Sequence, residues 1–300
     1  MKAPAYFGRV YKLEVGSSGE ILTLDSSTTA TTNPAQIVFS VDQTPNSNIS
    51  YATITIYGLM KKHREAVYKE YDKVRLTAGY QETFGVIFEG GISNVSIERD
   101  GVDVVVRLYC RSAASTWETA YVNQSFGANT PQLDIIKAVA ASFGLPVEIN
   151  GDFSRLTPAI KGLTISSGSR AKLTELSRSF GFSWIVLNDK VVVTKSGATR
   201  NSVVNYEYSA TSGMIGSPRI TRPGADIDVL LNPKILPGDL FTITAETGVF
   251  TFNSVFYENF PSTIGVGTYR ALALSHRGDF YGDSWVTSIE GVNPNGPFNG

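Results

Sequence analysis

A single cysteine in 300 residues excludes any intrachain disulfide, which suits a chain that folds in a reducing compartment. Cys110 runs in phase with Val102, Val104, Val106 and Leu108, so it is expected as a small apolar residue on a buried strand face. Histidine is nearly as scarce, with only His63 and His276. One Cys and two His far apart in sequence cannot make a usual zinc site, and a Ser-His-Asp triad could draw on only one of them. No Gly-x-Ser-x-Gly elbow is present, since Gly181-Phe-Ser183-Trp lacks the second glycine. No Walker loop or Gly-x-Gly-x-x-Gly opens a helix, and Gly16-Ser-Ser-Gly19 and Gly265-Val-Gly267 read as turns. Asp279 and Asp283 lie four apart among glycines, but no matching acid completes a calcium loop. The other carboxylates are scattered, without an aromatic-rich cleft signature around a pair of them. This inventory predicts no catalytic, cofactor-binding or metal-binding residue, no cofactor and no enzymatic activity.

Charge is sparse and balanced. Lys and Arg number 26, Asp and Glu 27, and together they make up 18 % of the chain, against about a quarter in an average protein. The longest basic cluster, Lys61-Lys-His-Arg64, is followed at once by Glu65 and reads as a solvated helix face. Nothing supplies the basic face that specific nucleic-acid binding requires. Long apolar runs are missing too. None approaches the ~20 residues of a membrane span, and Met1 to Gly8 lacks a signal-peptide core, so the expectation is a soluble chain without export by that route.

What remains is turn chemistry, Ser, Thr and apolar alternation. Apolar residues make up 42 %, enough to build packed cores, and the length predicts two or three units. From 1 to 120 the pattern is β with one helix. Ala52, Ile54 and Ile56 alternate with Thr53 and Thr55, and Val74, Leu76 and Ala78 repeat the period. Asp100-Gly101 between Val95–Arg99 and Val102–Tyr109 predicts a hairpin turn. Gly58 to Lys69 reads as a short helix, and Thr23–Thr32, with seven hydroxyl residues in ten, as a surface loop.

From 121 to 198 the period changes. Thr130 is expected to cap a helix whose first turn holds Pro131. Leu133, Ile136, Val139, Ala140 and Phe143 form its apolar stripe, and Gly144 and Pro146 stop it. A second helix is expected from Ser169 with Leu173, Leu176 and Phe180 inward, then a hairpin from Phe182 to Thr194 turning at Asn188-Asp189. Trp184 reads as core. From 199 to 300 the chain is β again, with a tight turn at Leu236-Pro-Gly-Asp239, strands at Leu240–Ala245, Val249–Tyr257 and Tyr269–His276, and a loose tail from Asn293. The fold class read from this is mainly β, α+β overall. Two antiparallel β-barrel or sandwich domains (1–120 and 199–300) flank a small α+β domain (121–198).

Three stretches, in order, resemble the baseplate hub family of contractile-tailed phages and related injection machines. The first is Ala52-Thr-Ile-Thr-Ile-Tyr-Gly58-Leu, a helix, Val74-Arg-Leu-Thr-Ala-Gly79-Tyr80, then Gly85-Val-Ile-Phe-Glu-Gly90-Gly-Ile. The second is the helix ending at Phe143-Gly-Leu145 with the helix entering Arg178-Ser-Phe-Gly-Phe-Ser-Trp184. The third joins Leu230-Leu-Asn-Pro233, Leu236-Pro-Gly-Asp239, His276-Arg-Gly-Asp279 and Gly282-Asp-Ser-Trp285-Val-Thr287-Ser-Ile-Glu290-Gly. The resemblance implies two tube-like barrels per subunit and a homotrimer forming a pseudo-sixfold ring. That ring would join the tail tube to a central spike among other baseplate proteins, with DNA passing through its lumen; the near-neutral charge of the chain predicts that this lumen is neutral or acidic. Its place would be the virion tail, after assembly in the host cytoplasm. A tube-end or distal-tail ring would be expected to lack the α+β unit. A cell-wall hydrolase or glycan-binding tail-tip protein is the rival from another class. Arg277-Gly-Asp279 reads as a turn before a core anchor, Trp285, and not as an adhesion motif.

Overall fold

The computed structural model describes residues 8–17, 20–27, 34–45, 48–69, 71–200, 204–221, 224–245, 249–250 and 266–294. In the first part, β1 (Arg9–Gly16), β2 (Ile21–Asp25), β3 (Ile37–Gln43) and β4 (Ser50–Tyr57) precede α1 (Lys61–Lys69), and β5 (Lys73–Tyr80), β6 (Thr83–Asp100) and β7 (Asp103–Arg111) follow it. The middle holds β8 (Tyr121–Phe126), α2 (Gln132–Ala141), β9 (Val147–Asn150), β10 (Leu163–Gly168), α3 (Ser169–Phe180), β11 (Phe182–Leu187) and β12 (Lys190–Lys195). The last part holds β13 (Asn205–Ser209), β14 (Met214–Ile220), β15 (Gly224–Leu230), β16 (Leu240–Thr244), β17 (Val249–Phe250), β18 (Val266–Asp279) and β19 (Trp285–Val292). The class is mainly β with antiparallel ladders predominating, as the alternating patterns predict.

The first and last parts share one 14-stranded sheet, ordered β17-β14-β15-β19-β18-β3-β4-β7-β6-β5-β1-β2, with β16 on β18 and β13 on β16. Among the described strands no ladder closes a ring. Side chains span the gap in the first lobe. The Arg9 guanidinium in β1 donates to the carbonyls of Asp279, Gly282 and Asp283 in the β18–β19 turn and lies 5.7 Å from the Trp285 ring centroid.

Among the described residues apolar side chains gather in three large clusters and a small one. The first packs Tyr11, Leu13, Phe39, Ile54, Phe88 and Leu108, and also takes Leu231 and Trp285 from the last third. The second is the interior of the α+β unit, where Trp117, Phe143 and Trp184 stack with centroids 5.7–6.3 Å apart. It includes Ile49, Ala113 and Trp117 from the first 120 residues. The third lines the inner face of β14, β15, β16, β18 and β19 with Met214, Ile227, Phe241, Leu274 and Ile289. Gly278 fits this packing because a Cβ there would come 2.3 Å from Phe39 Cζ.

Local chemistry explains where the chain departs from its pattern. Pro131 itself is the N-cap of α2, in an extended conformation, while the Thr130 hydroxyl donates back to Gly127 O at 2.8 Å. The predicted Thr130 cap therefore falls one residue early. The β6–β7 turn is Gly101-Val102, not Asp100-Gly101, because Asp100 pairs with Asp103 and stays in the ladder. Gly101 takes the positive φ at the first turn position, the type II′ pattern. Thr23 to Asp25 belong to β2 and not to a loop, and residues 28–32 of that stretch lie outside the described residues. So do 251–257 of the strand expected at Val249–Tyr257, and 295–300 of the tail. Asn188 and Asp189, at φ 48° and 51°, make the expected hairpin turn, and Leu236–Asp239 closes with Asp239 N–H on Leu236 O at 3.1 Å.

Trp285 stands in the last strand but serves the first core, edge-on to Phe39 at 5.3 Å, with its indole N–H on Gly79 O at 3.1 Å. Trp285→Ala should cost about 3–5 kcal/mol in urea unfolding. Trp285→Phe, which loses the hydrogen bond and part of the ring but keeps an aromatic side chain, should cost less, about 1–3 kcal/mol. Equal small losses in both variants would show that the last strand does not complete the first core.

Candidate assembly interface

The residues with chemical potential do not converge. His63 lies half-buried on α1, while His276 is buried in β18 with Nδ1 2.8 Å from Thr287 Oγ1. Cys110 is buried in the first core, and burial pushes its thiol up to about 12, far from a nucleophile's range. Among the described residues no group of three or more His, Cys, Asp or Glu is placed to hold a metal ion. The Asp279 carboxylate accepts the N–H groups of Tyr281 at 3.2 Å and Gly282 at 3.0 Å, so it organises a turn. Arg277 and Asp279 are fixed within the β18 strand, with the buried Gly278 between them.

What the fold does build is a set of backbone junctions. The central one is β18 on β3, six antiparallel pairs from Leu274↔Gln43 to Asp279↔Val38. Strand β18 can make it because it is long: Val266–Arg270 pair with β16, and Leu274 onward, past the end of β16, meet β3 along the same edge. Buried Gln43 secures the join by donating to Ile87 O at 3.0 Å.

The α+β unit docks through the hairpin of β11 and β12. Val186 N–H meets Asn48 O at 2.8 Å, and Asn48 Nδ2 returns to Trp184 O at 2.7 Å. Val186 O accepts the hydroxyls of Ser112 at 2.8 Å and Ser50 at 3.1 Å. At the tip, Asn188 Oδ1 takes Glu89 N–H at 3.1 Å and Asp189 Oδ1 takes Ala113 N–H at 2.9 Å. On the other side, Glu148 pairs with Arg200 at 2.9 Å, and Arg200 reaches the buried Asp239 at 3.4 Å. Burial would raise Glu148, but the Asn150 hydrogen bond and the Arg200 guanidinium outweigh it and hold its carboxyl below the usual range. The middle unit is thus bonded to both β lobes. Sequence patterning missed Asn48, Ser50 and Ser112, because a polar residue on a strand carries no sign of its distant partner.

The two lobes repeat one plan. In the first, a hairpin (β3, β4) is followed by a crossover and a three-strand meander (β5, β6, β7), and the sheet order is β3-β4-β7-β6-β5. In the second, the hairpin is β14, β15, the meander is β16, β18, β19, and the order β14-β15-β19-β18-β16 is the same. Every ladder within each set of five is antiparallel. A sixth strand lies beyond each, β1 antiparallel to β5 and β13 parallel to β16.

The family profile described as Baseplate hub gp41 matches residues 20–247. The chain belongs to the baseplate hub gp41 family. Membership makes this hub protein a structural component of a phage-type tail baseplate. Solved structures share its fold across nearly the whole chain. The 43 kDa tail protein of prophage MuSo2 from Shewanella oneidensis is 11 % identical with TM-score 0.58, covering 95 % of this chain and 98 % of that one. The tail protein from Neisseria meningitidis MC58 is 11 % identical with TM-score 0.59, covering 96 % and 97 %. The E. coli c3393 protein, a type VI secretion component structurally similar to T4 tail proteins gp27 and gp5, is 9 % identical with TM-score 0.54, covering 96 % and 77 %. No curated protein matches the hub chain in sequence.

His276 sits at the central junction of this hub protein, opposite Val41 on β3 and Thr287 on β19. Burial lowers its pKa to about 4, so the folded chain keeps it neutral. The unfolded chain titrates near 6.5. Above that pH neither state is charged and stability is unaffected by it. As pH falls from about 6.5 towards 4, only the unfolded state binds the proton, and about 3 kcal/mol is lost over the interval. Denaturant unfolding at pH 7 and pH 4.5 should show this slope in the native protein and a shallower one in His276→Gln. Identical slopes would remove His276 as its source.

Proposed function

We propose that this chain is a non-enzymatic hub subunit whose work is geometric. Three copies form a pseudo-sixfold annulus that joins the tail tube to a central spike and leaves a lumen for DNA. The single observation that carries the reading is the repeated strand plan, because a ring with six similar positions and three chains needs two similar lobes in each chain. On this reading residues 1–120 and 199–300 act as the two ring units, with 121–198 as the α+β piece bonded to both. Such bonding would make each copy a rigid double wedge instead of two beads on a linker.

The charge balance, 26 basic against 27 acidic residues, supports a lumen that does not hold phosphates. Spike, tube and further baseplate proteins are the partners. The chain assembles with them in the host cytoplasm and ends in the virion tail.

Mass photometry and negative-stain imaging of the purified protein, alone and with the proteins encoded beside it, should give a three-copy ring with a central hole. A six-copy ring would favour a tube-end role. Clear lysis in a cell-wall zymogram would overturn the non-enzymatic assignment. A ring lumen continuously lined with Lys and Arg would overturn the passage mechanism.

A further inference from the structure

Strand β6 is left half-paired. Thr83–Gly91 lie against β5 and Gly91–Asp100 against β7, and past Gly91 the edge that β5 leaves carries no ladder among the described residues. Its counterpart β18 changes partners the same way, from β16 to β19 at Arg270, but there the vacated edge is covered by β3 over Leu274–Asp279. The two strands can be aligned by setting Gly91 on Arg270. The cross-strand row Val95, Leu108, Ile54 then falls on Leu274, Ile289, Ile227. Val95–Asp100 therefore stands where Leu274–Asp279 stands, and β14 stands where β3 stands.

We propose that Val95–Asp100 of one copy pairs antiparallel with β14 of a second copy, repeating between chains the β18–β3 ladder found within the chain. The proposal rests on the ring reading above and names the edges that would build the ring.

Three observations support this occupant. An open strand edge is a template for pairing unless something blunts it, and this one presents Ile97, 42 % exposed, while β14 presents Ile215, 40 % exposed. Transferred register supplies charge complementarity: Arg277 lies opposite Ser40 within the chain, and their equivalents are Glu98 and Arg219. Among the described residues the outer edge of β14 carries only β17, at Arg219 and Ile220. That short ladder must give way, and in the transferred register Ser96–Glu98 would meet Arg219–Thr221, with the irregularity of β14 between Ile215 and Arg219 interrupting the ladder beyond.

Charge reversal on the full chain tests this. Glu98→Arg or Arg219→Glu should each weaken assembly about tenfold or more by mass photometry, since like charges then face each other, and the double variant should recover it. Circular dichroism should be unchanged in all three, because Glu98 and Arg219 are both exposed: Glu98 pairs with Arg107 at 3.7 Å on the same hairpin, and Arg219 faces Asp226 across the β14–β15 ladder, where a like charge disturbs only a surface contact. Independently, in a Cys110→Ala background, Glu98→Cys mixed with Arg219→Cys should give a disulfide between chains that neither gives alone. Rings that form normally in the reversed variants and yield no such cross-link would overturn this edge while leaving the ring reading intact. If no ring forms under any condition, with or without baseplate neighbours, both fall together.

Discussion

A β-strand carries hydrogen-bonding groups along two edges, and a buried amide without a partner costs more than most side-chain contacts return. The rest of this molecule depends on how one strand, β18, meets that demand. Its 14 residues outrun β16, and the surplus lies against β3, more than 220 positions earlier in the chain. One sheet therefore runs through both lobes. The lobes cannot hinge freely about this join without breaking main-chain ladder. The same geometry draws the following strand, β19, so far into the first lobe that Trp285 becomes part of its core.

The α+β unit stiffens this arrangement by a different route. Among the described residues it adds no strand to the large sheet, meeting it through one isolated bridge, Ile49↔Val186. It offers single polar atoms instead: the Val186 peptide, the Asn188 and Asp189 side chains, and the Glu148 carboxylate. Each reaches a backbone amide, a hydroxyl or a guanidinium on a lobe. Several of these groups are buried, so losing one partner would strand the other away from water, a larger effect than the bond's own net worth. The unit is thus held in one orientation by satisfaction of polar groups and by an apolar interior in which Phe143 and Trp184 pack with Ile49, Ala113 and Trp117 of the first 120 residues.

Much of this was legible in the sequence, and the boundary is physical. Alternation in Ala52–Ile56 and the stripe from Ile136 to Phe143 predict elements because burial of one face imposes a period. Asn188-Asp189 and Leu236-Pro-Gly-Asp239 predict turns because their backbone angles need those residues. The errors lie where two local solutions compete. Pro131 can be the cap or follow it, and Gly101 can be the first or the second residue of a turn. Single-sheet continuity was not legible, since nothing in Ser275-His-Arg277 says that its far edge meets Ser40 and not solvent. Nor was the candidate assembly edge: Val95–Asp100 reads as an ordinary hairpin arm until the pairing of its counterpart is known.

The solved tail proteins that share this fold at 9–11 % identity indicate what is being kept. Ladder pairing asks for a strand of the right length in the right place, with glycine where backbones or rings approach closely. It asks little of side-chain identity. Gly278 under Phe39 and Gly90, whose Cβ would come 2.5 Å from Arg111 O, are constraints of that kind. The two lobes illustrate the same tolerance inside one chain. They share a five-strand order, yet β1 and β13 run in opposite senses beside it, and only the first lobe carries α1 in its crossover. The fourth strand, β6 in one lobe and β18 in the other, changes partners part-way along in both, and in β18 the length so freed joins the second lobe to the first.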